Sequence, residues 1–364
     1  MRTEYFEKLV QRLKSQSIDA MLISPSEELL FIMGSSPRIC ERFQGLFIKN
    51  DGEYFYVCNL LTADEVRETL GEDKVFSWFD GEDYTEVVKG VLEHKGLLGS
   101  TIAVNSSAQP CCLCDISAAT GIKFISGKPI LEGVREIKTP EEMQNMRESC
   151  AVTDAVFAEL LTMIKPGMTE GDLKLRILPS LFAKHGGLMV PGTGIVASGP
   201  NTGYAHYNKT DRVIQKQDTI TFDIGCQYKE MRSDMTRTIF IGGITDRQRE
   251  VYQLVLEANL AGEMAAVEGA YIPDVDKAAR DVIDKAGYGK YFTTRLGHGI
   301  GYMVHESPDM KQSNKRHLER GMAFTIEPGI YIPGEVGCRI EDTLLISDKG
   351  TEILFKTTKD IIIL

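Results

Sequence analysis

Three carboxylates are planted inside runs that read as β-strands with apolar neighbours: Asp223 in Phe222-Asp223-Ile224, Glu327 in Thr325-Ile326-Glu327, and Glu341 in Arg339-Ile340-Glu341. An isolated charge in an apolar interior is costly, so each must be ion-paired, hydrogen-bonded or bound to a cation. Any fold for this chain has to supply those partners. Two further residues join the set. Asp234 lies in Ser233-Asp234-Met235-Thr236-Arg237, and His298 sits between Gly297 and Gly299, where a missing Cβ lets backbone and substrate approach closely. Four carboxylates and one imidazole can hold two divalent ions about 3.5–4 Å apart. Such an oxygen-rich set is hard and suits manganese, although cobalt, iron or zinc can occupy it. The competing reading makes these acids the ion-pair partners of Arg232, Arg237 and Arg339, since buried ion pairs are ordinary. Spacing by itself does not separate the two.

The strands around these acids alternate with helices whose starts are well marked. Thr139-Pro140-Glu141-Glu142 offers a cap, a proline at the first helical position and a capping box, with the helix expected to run to Ile164. Thr169-Glu170-Gly171-Asp172 opens a second helix, and Thr245-Asp246-Arg247-Gln248 a third, long one. The strand candidates are residues 219–224, 236–240, 323–327 and 339–346, rich in β-branched residues and arriving as neighbouring pairs. That order predicts α+β with a largely antiparallel sheet rather than a doubly wound parallel one. The first third reads as a smaller α/β domain: a helical stripe at Phe6, Leu9, Val10 and Leu13, strands at 20–23, 45–48, 54–57 and 101–104, and a helix over 83–98. The turn Asn50-Asp51-Gly52 makes the second and third of those strands a hairpin. The predicted domains are residues 1–132 and 133–364.

Length and composition agree. A chain of 364 residues is too long for one ordinary core. With 43% hydrophobic and 26% charged residues it reads as globular, and no apolar run approaches the roughly 20 residues that span a bilayer. The N-terminus lacks the layout of a secretion signal, so a cytoplasmic location is the expectation. A net charge of −11 repels a phosphate backbone, which argues against nucleic acid as a partner. Eight cysteines in such a chain are expected to stay reduced, and Cys111-Cys112-Leu113-Cys114 is read as ordinary thiols in a loop or strand.

From Val134 onward the chain resembles the pita-bread metallopeptidases: prolidase, aminopeptidase P and, more distantly, methionine aminopeptidase. The segments that carry the resemblance are 196–201, Phe222-Asp223-Ile224-Gly225, 233–238, Gly297-His298-Gly299-Ile300-Gly301, Val304-His305-Glu306-Ser307-Pro308, 327–331 and Arg339-Ile340-Glu341-Asp342. The N-terminal third resembles the creatinase-like domain that precedes the catalytic domain in prolidases and aminopeptidase P. The resemblance implies a dinuclear-metal hydrolase of Xaa-Pro bonds, with Asp223, Asp234, His298, Glu327 and Glu341 as metal ligands. It makes Glu327 the general base. His206 and His305 become catalytic and substrate-binding histidines, though standing alone either would pass for a loop or core histidine. Arg339 faces a substrate carboxylate or a metal-bound acid. The implied substrate is a proline-containing di- or oligopeptide, and the implied assembly a homodimer. His94, His185 and His317 match nothing and are read as surface residues.

Two departures bear on substrate. Relatives commonly carry a histidine where this chain has Thr294, a weaker donor that is placed here among the substrate-binding residues. Before Ser233 they often show Gly-Tyr and a small residue, where this chain has Glu230-Met231-Arg232. The same fold also serves enzymes that cleave small non-peptide C–N substrates, creatinase among them, and non-catalytic binding modules. Creatinase lacks the full ligand set, and retention of all five positions weighs against the binding module.

Overall fold

Capping residues decide where the helices begin. Thr139 Oγ1 accepts the Glu142 N–H while the Glu142 carboxylate accepts the Thr139 N–H, and the helix Pro140–Leu161 begins there, ending three residues before Ile164. The same reciprocal pair between Thr245 and Gln248 starts the helix Asp246–Ala265. At the second predicted start, Asp172 accepts the Thr169 N–H at 3.0 Å, but the chain continues as a wide π-helical segment, Asp172–Ile177, before the α-helix Leu178–Lys184. Pro179 has no N–H to bond four residues back, and the ladder widens ahead of it.

The computed structural model describes residues 2–190 and 193–364. Met1, with which the predicted N-terminal domain begins, lies outside the described residues, as do Pro191 and Gly192. The chain divides into two compact units, one ending at Arg135 and one running from Glu136 to Leu364.

The first unit is built on a mixed six-stranded sheet: β1 (Ala20–Ile23), β2 (Gly45–Lys49), β3 (Tyr54–Asn59), β4 (Val75–Trp78), β5 (Thr101–Val104) and β6 (Lys123–Ser126), in the order β4-β3-β2-β1-β5-β6. The predicted hairpin is present, with Ile48 opposite Tyr54 and Gly52 at a positive φ of 94° in its turn. Phe47, Phe55, Val57, Trp78, Ile102 and Ile116 form its core. The cysteine-rich stretch corrects an expectation: it is neither loop nor strand but the first turn of the helix Pro110–Thr120. Pro110 at the first helical position, with Cys112 and Ile116 four apart on the buried face, is the signal that marks it. All eight cysteines are thiols.

Among the described residues, the second unit carries four antiparallel sheets. β7 (Ile195–Ser198), β8 (Thr219–Ile224), β9 (Gln227–Tyr228), β10 (Met231–Arg232) and β11 (Met235–Phe240) give the sheet β11-β8-β7 and the ribbon β10-β9. β12 (Gly297–Gly299), β13 (Glu306–Met310), β14 (Ala323–Ile326), β15 (Gly329–Ile332), β16 (Val336–Arg339), β17 (Asp342–Ser347) and β18 (Gly350–Ile353) give β13-β12-β14-β17-β18 and the pair β15-β16. One apolar core packs the helix Pro140–Leu161 against β8 and β11 through Phe157, Phe222 and Met235. A second packs the helices Asp246–Ala265 and Ile272–Lys285 against β14, β16 and β17 through Val255, Ala279, Phe324 and Leu344. The run predicted as one strand over 339–346 is two. β16 pairs with β15 and β17 with β14 and β18, and between them Glu341 turns its N–H to Thr236 O at 3.1 Å. The break lets one short stretch serve two sheets. No described helix is long and apolar enough to cross a membrane.

Candidate metal centre

Strand register brings the acids together. Asp223 near the end of β8 lies opposite Thr236 on β11, and Thr236 in turn bridges to Glu341. Asp234 immediately precedes β11, His298 is the middle residue of β12, and Glu327 comes directly after β14. Ligand atoms of Asp234, His298 and Glu341 all lie within 4.8 Å of one another. Glu327 Oε1 is 3.3 Å and Asp234 Oδ2 3.6 Å from His298 Nε2. These side chains meet at a cavity of about 630 Å³, lined by Asp223, Asp234, His298, Glu327 and Arg339.

The polar partners sort the residues into roles. His298 Nδ1 lies 3.0 Å from Gly299 O, which places its proton on Nδ1 and leaves the Nε2 lone pair facing the carboxylates. Burial, with His305 and Arg295 nearby, lowers its pKa to about 3, so the ring is neutral, the form that ligates a cation. Thr236 Oγ1 donates to Glu341 Oε2 at 2.7 Å and accepts from Arg339 Nε at 3.0 Å. Arg339 Nη2 donates to Asp223 Oδ2 at 2.6 Å, and its Nη1 to Tyr331 Oη and Ala205 O. Arg237 is spent elsewhere, on Asp342 Oδ1 at 2.8 Å and on backbone carbonyls. Among the described residues, arginine ion pairs therefore account for Asp223 but for neither Asp234 nor Glu341. Glu341 Oε1 is buried with no hydrogen-bond partner among the described residues. Burial pushes both carboxyls well above their usual range. Repulsion from Glu341 adds to this at Asp234, and repulsion from Glu327 adds to it at Glu341. An acidic cluster around a bare oxygen and a neutral imidazole is a donor set that divalent cations relieve.

The remaining predicted residues lie around the same cavity. His206, Thr294 and His305 line it. The His305 ring meets that of His298 edge-on at 4.3 Å between centroids. The Thr294 hydroxyl is buried with no hydrogen-bond partner among the described residues. Arg232 also lines the cavity and donates from Nε to Tyr302 O at 3.2 Å. His94 and His317 are exposed, whereas His185 is half-buried against Glu159 at 2.9 Å.

The family model described as Metallopeptidase family M24 matches residues 144–348, more than half of the chain, and that of the Creatinase/Prolidase N-terminal domain matches residues 6–137. The chain belongs to metallopeptidase family M24. It is 33% identical to the Xaa-Pro dipeptidase of Lactobacillus helveticus, an alignment covering 98% of this chain and 97% of that one. Among solved structures it is similar to recombinant prolidase from Thermococcus sibiricus, with a TM-score of 0.93 at 29% identity over 100% of this chain and 99% of the other. The Xaa-Pro dipeptidase of Bacillus anthracis aligns over the same shares, with a TM-score of 0.84 at 29% identity. This M24 member is a peptidase of the Xaa-Pro peptidase family, with a creatinase-like N-terminal domain and a pita-bread catalytic domain, and family membership implies divalent metal ions.

Sequence reasoning passed over three residues that support this candidate site: Thr236, Thr325 and Tyr331. Thr325 Oγ1 accepts the His298 N–H at 3.1 Å, so it fixes the backbone under the imidazole. Thr236 had a visible signal, because period-two alternation in β11 puts it on the same face as Thr238, opposite Asp223. Tyr331 had none, since its contact with Arg339 depends on the β15-β16 pairing.

Proposed function

We propose that the chain is a dinuclear-metal Xaa-Pro dipeptidase, with Asp223, Asp234, His298, Glu327 and Glu341 as the ligands and manganese as the preferred ion. The observation that carries this reading is the convergence of Asp234, His298 and Glu341 within 4.8 Å around a buried Glu341 oxygen with no hydrogen-bond partner among the described residues. Divalent ions held there lower the pKa of water and polarise an amide carbonyl.

The chain's own groups do the rest. Arg339 holds Asp223 from one side, and Thr236 holds Glu341, so two carboxylates keep their orientation without substrate. Glu327, directly after β14 and 3.3 Å from His298 Nε2, is the carboxylate placed to act as general base. It takes the proton of the attacking water and returns it to the proline nitrogen as that nitrogen leaves. His206 and His305 line the cavity, where their N–H groups stabilise charge growing on the scissile carbonyl oxygen. Val190, Ile195 and Val304 give the cavity an apolar wall suited to a pyrrolidine ring, and its volume falls in the range of small-ligand sites.

The test combines metal analysis with a panel of Xaa-Pro, Xaa-Pro-Yaa, creatine and non-proline dipeptides. Two bound divalent ions and turnover confined to Xaa-Pro support the reading. Tight binding of two ions without Xaa-Pro turnover sinks the dipeptidase and spares the fold. A second reading, a small non-peptide C–N substrate, is favoured by Thr294 and Arg232, which bring a weaker donor and an extra guanidinium to the cavity wall. Creatine in the panel probes that class.

A further inference from the structure

The segment Ser198-Gly199-Pro200-Asn201 carries no ligand, yet it is tied down more firmly than the strands around it require. Glu170, fully buried, accepts three hydrogen bonds on a single oxygen: Ser198 N–H at 2.7 Å, Ser198 Oγ at 2.8 Å and Asn201 Nδ2 at 3.0 Å. Its other oxygen is buried with no hydrogen-bond partner among the described residues. Asn201 uses its second amide proton on Tyr207 Oη at 2.7 Å. Tyr207 also stands against the Glu170 carboxylate, and burial together with that neighbour pushes its hydroxyl up to about 12. On the far side, Arg212 closes the arrangement by donating to Ser198 Oγ at 2.7 Å while it pairs with Asp218.

This cluster borders His206. The histidine sits between two held residues: Ala205, whose carbonyl accepts from Arg339 Nη1 at 3.2 Å, and Tyr207, whose hydroxyl is held by Asn201. The connecting turn has no slack either. A Cβ on Gly203 would stand 2.4 Å from Ile332 O, and Thr202 Oγ1 accepts the Gly337 N–H at 2.8 Å. A fully buried carboxylate is costly to desolvate, and this one spends its hydrogen bonds on a single short segment, which points to a geometric task.

We infer that Glu170 is a positioning residue which, through Asn201 and Tyr207, sets where the imidazole of His206 stands in the catalytic cavity. The inference rests on the role given to His206 under the proposed function. It adds a residue far along the chain, and outside the cavity lining, to the apparatus of the reaction.

The test uses the metal-loaded full chain. Glu170→Leu and Glu170→Gln are each made in the wild-type and His206→Ala backgrounds, and kcat and KM on an Xaa-Pro dipeptide are measured. Imidazole ¹H–¹⁵N spectra are recorded alongside, the His206 resonance being the one that His206→Ala deletes. Glu170→Leu is expected to lower kcat roughly ten- to a hundredfold, the scale of a misplaced catalytic group, with little change in KM. It should displace the His206 resonance, leave those of His94 and His317 in place, and cost nothing further in the His206→Ala background. Glu170→Gln keeps the oxygen that receives Ser198 and Asn201 and should restore most of the loss. Should Glu170→Leu fail to fold, Asn201→Ala breaks the same chain at a half-buried position. An unmoved His206 resonance, or an equal fold-loss in the His206→Ala background, overturns the inference. A displaced resonance with His206→Ala fully active upholds the positioning role and refutes the catalytic one.

Discussion

Removing one negative charge from the acidic cluster should stabilise the metal-free protein while destroying its response to metal, and Glu341→Gln is the substitution that shows it. Glu341 is buried beside Asp234, with Glu327 and Asp223 adding to the charge around it. Its carboxyl is raised well above its ordinary 4.5, first by burial and then by repulsion from Glu327 and Asp223. A carboxyl raised in the folded state binds more protons there than in the unfolded chain, so stability falls as pH rises above 4.5. The penalty has a ceiling, because the group can always take up a proton instead. Keeping one carboxyl protonated from pH 4.5 to pH 7 costs about 1.4 kcal/mol per pH unit, or about 3 kcal/mol in all. Glutamine retains an oxygen for the Thr236 hydroxyl and places an amide where Glu341 has its unpartnered oxygen, so the substitution removes the penalty without removing the hydrogen bond.

The expected result is a gap between the two proteins that is absent near pH 4.5 and grows towards about 3 kcal/mol at pH 7. For a catalytic domain of this size that is roughly 6–12 °C in Tm. Denaturation in chelator across that pH range measures it. Saturating manganese should reverse the order: the wild type gains about 4.1 kcal/mol when free metal is a thousandfold above Kd, more than the gap, and the variant, short of one ligand, gains much less. A variant less stable than wild type in chelator at pH 7, or a gap that does not change with pH, refutes the account of the cluster as an unrelieved charge.

Three other outcomes are expected. Thr236→Val strips the donor from Glu341 and the acceptor from Arg339, and should weaken metal binding roughly ten- to a hundredfold by calorimetric titration with little change in secondary structure. Thr294→His should raise kcat/KM on proline dipeptides, and a flat or lower rate would assign Thr294 to another substrate. Arg339→Met removes the cation paired with Asp223, and should lower turnover at least tenfold and loosen metal retention on dialysis, read by metal analysis.

The parts of the fold legible in the sequence were those decided within a few residues. Thr139 with Glu142 and Thr245 with Gln248 state their helix starts locally, and Asn50-Asp51-Gly52 states its hairpin. Acids flanked by Phe222 and Ile224, or by Ile326, announced that something must compensate them. The compensating group in each case was not written nearby. The partner of Asp223 lies 116 residues away in Arg339, and the hydroxyl that steadies Glu341 lies 105 residues back in Thr236. The break between β16 and β17 was hidden for the same reason, since residues 339–346 are uniformly strand-like and only sheet pairing divides them. The helix of Cys111, Cys112 and Cys114 was hidden by the attention cysteine pairs attract, although Pro110 marked its start.

That division between local and distant has a consequence for specificity. The proposed ligands stand within or immediately beside paired strands, where register holds each side chain, so a chain that keeps the strands keeps these five side chains together. Much of the cavity's remaining wall comes from connecting segments: His206 comes after a short 3₁₀ turn, Thr294 and Arg295 precede β12, and Val304 and His305 precede β13. Connections tolerate substitution at little cost to the core, and both departures that line the cavity, Thr294 and Arg232, lie at or beside such connections or on the two-residue β10. On the proposed reading, metal chemistry and substrate choice are thus set by different structural elements in this chain. Substitutions at Thr294 should accordingly change which amide is cleaved while leaving the affinity for metal where it was.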